Sequence, residues 1–380
     1  MAFFLHQRPT VSDPAPSTSA TGGRFIFLDG LRGVALILMV VNHTSRWWMD
    51  VSMGWWRYYL VYGSMTLPGP IFLFLVGFCL PISFRRERAT AGPAPRALGK
   101  YVGRGLQIIL AGLLLNVLVF PEDPVWGGGV LQTIGLSIIV LAPALWILHH
   151  RAARWALLAL AALIYLSFAW LFDDLVGWLP NHPTVAQIWF LDFPPWPWIS
   201  AALIGLVAGW VWLDARSGRA RAEARYFWVA AAFGLACLVG YFAWDSWMQT
   251  SPRISFKRDF MLNRHWTPRG ATNLLIVGGV ACSLSLAYWV MEVKRRRLGW
   301  FVILGETAFM LYFVHQLIVL TLANQALGMR FNHWGLYWLA NVVLMVALVY
   351  LGKAWLAIKR ATRQLPLVRR GVPPGTPTRP

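Results

Sequence analysis

Asp29, Arg32, Asn42 and His43 lie in a stretch, residues 24–43, that is otherwise apolar after Arg24: Arg-Phe-Ile-Phe-Leu-Asp-Gly-Leu-Arg-Gly-Val-Ala-Leu-Ile-Leu-Met-Val-Val-Asn-His. Arg32 carries a permanently charged, planar guanidinium suited to phosphate or carbonyl oxygens. His43 is the residue near the end of the stretch that can take up a proton near neutral pH. The two are eleven positions apart, three helical turns plus roughly 20°, so they share one face about 16 Å apart in height. A charge deep in an apolar span costs several kcal/mol unless it faces a partner or a wet cavity, which makes this face a functional candidate. A plainer account pairs Asp29 with Arg32 at i, i+3 and lets His43 end the helix at the interface.

The elements that hold this face are apolar throughout. Of the 380 residues 58% are hydrophobic and 13% charged, where a soluble domain carries about 25% charged residues. The fold class expected is an all-α polytopic membrane protein. Ten spans are expected, the face-bearing stretch and nine that follow it at about 66–84, 102–120, 129–148, 155–172, 197–213, 226–244, 271–291, 300–321 and 335–357, each fitting the apolar thickness of a bilayer. Residues 1–23 and 359–380, rich in Pro, Ser, Thr or basic residues, read as disordered cytoplasmic tails around a domain at 24–358. No cleavable leader is legible in residues 1–23, which lack an apolar core. The segment Thr44 to Ser64, with its many Trp and Tyr, reads as an interfacial loop.

Of the 34 lysines and arginines, 24 fall in the tails and loops on the side of the termini and 8 on the other side. The positive-inside rule therefore puts both termini in the cytoplasm, with Arg32 in the cytoplasmic half of its span and His43 at the outer end. The same placement accounts for the net charge of +19 without nucleic acid as a partner. Cys79, Cys237 and Cys282 fall inside apolar runs with no metal-ligand spacing, so packing is the expected role and no metal is expected.

Leu28-Asp29-Gly30-Leu31-Arg32, ten further residues and then His43 resemble the signature of the membrane acyltransferase-3 family. The chain as a whole more closely resembles a related group, the heparan-α-glucosaminide N-acetyltransferase-like proteins. The likeness rests on the Phe-rich run Pro70 to Ser83 followed by Arg85 and Arg86, on Gly129-Val-Leu-Gln132, and on Pro197-Trp198 with Gly205 and Gly209. Asn263-Arg264-His265-Trp266-Thr267 resembles that group's Asn-Lys-x-x-Trp-Ser/Thr element, with Arg for Lys and one residue fewer. Leu304-Gly305-Glu306 through Tyr312 and His315 resembles a Gly-x-x-Ser/Ala-x-x-x-Tyr-x-x-His helix common in acyltransferase-3 proteins.

The resemblance implies transfer of an acyl group, usually acetyl, from cytoplasmic acyl-CoA to a sugar hydroxyl or amine of a glycan or glycolipid on the far side of a cytoplasmic membrane. In acyltransferase-3 proteins the Arg and His matching Arg32 and His43 are the functional residues. In the heparan acetyltransferase the reactive His is assigned to the first outer loop, but Thr44 to Ser64 contains none, which moves the expectation to His43.

Acyl transfer needs the acceptor's proton removed and the carbonyl's developing charge stabilised. His43 could act as general base or form an acyl-imidazole, and Arg32 suits the donor's diphosphate or carbonyl oxygen. His315 is expected at the depth of His43 as a further catalytic residue, while Glu306, nine positions earlier on a continuous helix, falls roughly opposite and suits a cation. Asp29, Asn42, Gln132, Asn263 and Trp266 are candidates for holding the acceptor. Asn116 and Gln132 could also simply bridge helices. Arg85 and Arg86 are candidates for coenzyme A, and topology-setting charge explains them as well. A non-enzymatic alternative is a ten-span transporter using Arg32, His43 and His315 as a proton relay.

Overall fold

In a bilayer the backbone must satisfy its own amides, so apolar runs of this length become helices. A computed structural model describes residues 24–64, 67–90, 94–190, 193–218, 220–247, 272–296 and 298–364. These residues form helices with no strand among them beyond an isolated bridge between Met49 and Phe331. The protein is an all-α polytopic membrane protein. Asn263 and Trp266 lie outside the described residues, as do residues 1–23 and 365–380.

In chain order the helices are α1 (Ile26–Trp48), α2 (Trp55–Ser64), α3 (Pro68–Thr90), α4 (Ala94–Val119), α5 (Val130–Leu141), α6 (Arg151–Trp178) and α7 (Pro183–Trp189). They continue with α8 (Pro195–Ser217), α9 (Ala220–Trp247), α10 (Thr272–Tyr288), α11 (Gly299–Glu306), α12 (Ala308–Gln316) and α13 (Trp334–Gln364). Nine helical stretches among the described residues are long and apolar enough to cross a membrane. The tenth expected span is shorter, Val130–Trp146, made of α5 and a 3-10 segment Ala142–Trp146. The tighter coil rises faster per residue, and the two pieces sum to roughly 28 Å against a hydrocarbon core of about 30 Å.

Three details differ from the sequence reading. Thr44 to Ser64 is not a loop: α1 runs on to Trp48, and a 3-10 turn and α2 follow. The ninth span is broken at Thr307 (φ −109°, ψ 9°), whose hydroxyl bonds back to Ile303 O at 2.7 Å, so Glu306 and His315 sit on different helices and their opposition cannot be read from one helical wheel. The last helix continues to Gln364, past the expected end at 357.

α1 is central: 67% of its membrane window is buried, against 17% for α6. Its first half packs on an aromatic cluster in which Phe27 meets Trp212, Phe227 and Tyr288 edge-on at 5.6, 5.6 and 5.8 Å. Its second half packs through Leu36, Val40 and Trp48 on Leu311, Val319 and Tyr337. Gly33 and Gly305 let α1 and α11 cross in backbone contact, since a Cβ on Gly305 would overlap Asp29 O and one on Gly33 would overlap Phe301 O.

Candidate active site

The face of α1 divides into two polar centres. At its first turn the buried Asp29 carboxylate accepts from Arg32 Nη1 at 2.7 Å and from Arg24 Nε. Arg24 also reaches Glu306 Oε1 at 3.3 Å, so the residue after the Gly305 crossing does hold a cation. Arg32 Nη2 donates to Cys79 Sγ of α3 at 2.9 Å. Arg32 is therefore paired with Asp29, but its side chain remains 29% exposed and faces a cavity of about 290 Å³.

That cavity has apolar walls from α3, α5 and α12, and its polar lining includes Arg24, Arg32, Arg104, Ser83, Tyr101 and Glu306. Arg104 makes no ion pair with a described residue. The buried Tyr101 hydroxyl lies near Ser83 and Glu87 without a hydrogen bond of good geometry to any described residue. A buried hydroxyl and a free guanidinium on one cavity are groups waiting for an acceptor, which is what a phosphate supplies.

At the other end of the face His43 Nδ1 stands 2.9 Å from His315 Nε2, with the rings nearly parallel. His315 is fully buried, while His43 as a residue is part-buried. His315 Nδ1 is 2.9 Å from Leu311 O, and the Gln316 side-chain amide is 3.1 Å from His43 Nδ1. Immediately after Gln316 the helix widens into a π-helical segment, Leu317–Ala326. Trp48 Nε1 donates to Val319 O at 2.9 Å and Asn324 Nδ2 to Trp47 O at 2.7 Å, clasping this segment to the end of α1. From α13, Asn341 Oδ1 accepts from the Thr44 hydroxyl at 2.7 Å, fixing α1 one residue beyond His43. Tyr312 joins the two centres: it lines the cavity and meets His315 edge-on at 5.6 Å.

Other candidates sit elsewhere. Asn42 Nδ2 donates to Tyr62 O at 3.0 Å and ties α1 to α2. Gln132 and Asn116 both donate to Gly127 O, at 3.0 and 2.8 Å, and hold the turn between α4 and α5. Arg85 pairs with Asp214, which also binds Arg154 at 2.8 Å, and it lies over the Trp210 ring at 4.7 Å; neither Arg85 nor Arg86 lines the cavity. The sequence reading did not single out Cys79, Tyr101, Arg104 or Gln316 for chemistry. A usable signal existed for one pair, since Tyr101 and Arg104 are i, i+3 on one face of α4.

No group of three or more His, Cys, Asp or Glu suited to a metal occurs among the described residues. Apolar spans around a guanidinium-lined cavity and a histidine pair make this a polytopic membrane protein with a polar interior. The family model described as heparan-alpha-glucosaminide N-acetyltransferase, catalytic, matches residues 24–245, more than half of the chain, and the chain belongs to that family. It is a membrane acetyltransferase. The matched segment holds Arg32 and His43 and ends before His315. No curated protein matches the sequence.

Proposed function

We propose that the protein moves an acetyl group from cytoplasmic acetyl-CoA to a hydroxyl or amine of a sugar, on a glycan or glycolipid, at the outer face of a cytoplasmic membrane. The observation that carries this reading is Tyr312, which is at once a wall of the cationic cavity and a neighbour of the histidine pair. Donor and base thus belong to one continuous site. Arg24, Arg32 and Arg104 suit the phosphates of the donor, and the Tyr101 hydroxyl on the same cavity suits a phosphate oxygen. The separation of about 16 Å between Arg32 and His43 keeps the guanidinium away from the acyl carbon. The extended pantetheine arm bridges such a gap, with the diphosphate at one end and the thioester at the other.

His43 then removes the acceptor's proton as its oxygen or nitrogen attacks the thioester carbonyl, the carbon–sulfur bond breaks, and the same imidazole returns the proton to the departing sulfur. This route asks only for hydrogen-bond reach to one acceptor, which favours it over an acyl-imidazole. The charge bias of the loops supports the orientation, donor inside and acceptor outside.

The test supplies labelled acetyl-CoA to one face of sealed vesicles of known orientation and follows label in carbohydrate. His43→Ala is expected to lower transfer by roughly 10²–10⁴-fold, the range of general acid–base catalysis. Equal transfer by wild type and His43→Ala sinks the mechanism. Movement of a solute without label would return the transporter reading, which no feature of the site favours.

A further inference from the structure

The hydrogen bonds around His43 decide which of its nitrogens can react. Leu311 O is an acceptor only, so the 2.9 Å contact requires a proton on His315 Nδ1. A neutral imidazole carries one N–H, which leaves His315 Nε2 with a lone pair facing His43 Nδ1 at 2.9 Å. Two lone pairs at that distance repel, so the proton between the rings belongs to His43 Nδ1. The second nitrogen of His43, Nε2, is left as the basic atom.

Gln316 supplies an independent observation. Its amide nitrogen stands 3.1 Å from His43 Nδ1, while its Oε1 is buried with no partner among the described residues. The oxygen and nitrogen of a side-chain amide are assigned from the surrounding network. With the amide nitrogen toward Nδ1–H, two donors oppose each other and an acceptor is orphaned. Turning the carboxamide by half a rotation places Oε1 against Nδ1–H and replaces two opposed donors by a donor and an acceptor.

We infer that His315 and Gln316 are positioning residues that together hold His43 in the Nδ1–H tautomer, leaving Nε2 as its reactive atom. The inference rests on the reading of His43 as the base. A doubly protonated His315 would meet the same distances, but neither ring takes part in an ion pair among the described residues, and an uncompensated buried cation is far costlier than a neutral pair. Neighbouring residues on an α-helix diverge by about 100°, so His315 and Gln316 would not ordinarily reach one atom. They do so where α12 widens into the π-helical segment, which Trp48 and Asn324 clasp to α1. When His43 Nε2 takes the acceptor's proton, the new charge spreads through Nδ1–H to His315 and on to Leu311 O.

The experiment reads the tautomer directly, by nitrogen NMR of the full chain labelled with ¹⁵N-histidine in detergent micelles. His43 is assigned among the eight histidines by its loss in His43→Gln. Nδ1 is expected in the protonated class and Nε2 in the lone-pair class; the reverse overturns the inference. This readout is separate from catalysis: if His43→Ala transfers acetyl normally, the reading of the base fails while the tautomer is still decided.

Two variants divide positioning from packing. Gln316→Glu keeps an acceptor oxygen against His43 Nδ1 and should keep the proton on that nitrogen. Gln316→Met keeps the volume without the acceptor, and should mix the tautomers and lower kcat roughly five- to tenfold at unchanged KM for acetyl-CoA, with glucosamine as the acceptor probe, as loss of one hydrogen bond implies. A purely packing role gives the opposite order, Met harmless and Glu damaging, and overturns the proposal.

Discussion

Arg104 and Arg85 carry the same charge near the same end of the bundle and meet different partners. Arg85 is taken up by Asp214 and the Trp210 ring, whereas Arg104 faces the cavity beside Arg32 with no ion pair to a described residue. Arg104→Ala should therefore raise KM for acetyl-CoA roughly ten- to hundredfold at unchanged kcat, the loss of a hydrogen bond to a charged group. Arg85→Ala should leave KM alone and lower stability by less than about 1 kcal/mol, because its ion pair is more than a third exposed. Steady-state kinetics and thermal unfolding of both variants separate the two. Arg32 and His43 were legible in the sequence because their types are expensive inside an apolar run. Arg104 was not, because an arginine near a helix end is indistinguishable by composition from a charge that sets orientation. Gln316 was hidden for another reason: its value depends on a tautomer, which periodicity does not report.

At the scale of elements, the crossing of α1 and α11 is what brings Glu306 to Arg24 and frames the cavity beside Arg32. Gly305→Leu inserts a side chain where even a Cβ overlaps the Asp29 carbonyl. The helices must part, at about 1–3 kcal/mol for overpacking, and activity should fall with the lowered melting temperature. Gly279→Ala makes a useful control, since the atoms nearest its Cβ would be those of the flexible Leu67 side chain, at 3.0 Å. If Gly305→Leu unfolds and turns over like wild type, the crossing does not hold the site. The existence and order of the spans were readable from hydropathy, though several helices run past the expected ends, the last to Gln364. The break at Thr307 was not, because a kink changes hydrogen bonding without changing apolar content, and the helical wheel drawn through residues 300–321 failed at that residue. The segment after His43 misled for a similar reason: aromatic residues at an interface look alike in a loop and in α2.

On the scale of the whole molecule, the site is assembled from distant parts of the chain. Arg32, Cys79, Arg104 and His43 lie inside the family-matched segment, and Glu306, Tyr312, His315 and Gln316 come from beyond it. The sequence carried that second half only as a short motif around Tyr312 and His315, and the 2.9 Å approach of the two rings is a product of tertiary packing against α1. The paired rings, resting uncharged, also bear on electricity. A membrane voltage does work on charge, about 2.3 kcal/mol per elementary charge per 100 mV. If His43 returns the acceptor's proton to the departing sulfur, acyl group and proton change places at one depth and nothing charged traverses the field. Turnover in vesicles should then stay within about twofold when a diffusion potential of about 100 mV is imposed. A thiolate withdrawing unprotonated would instead carry a charge through the voltage drop, and the rate would change by up to ~50-fold. An enzyme built around neutral imidazoles can thus work at the same pace in an energised membrane and in a depolarised one.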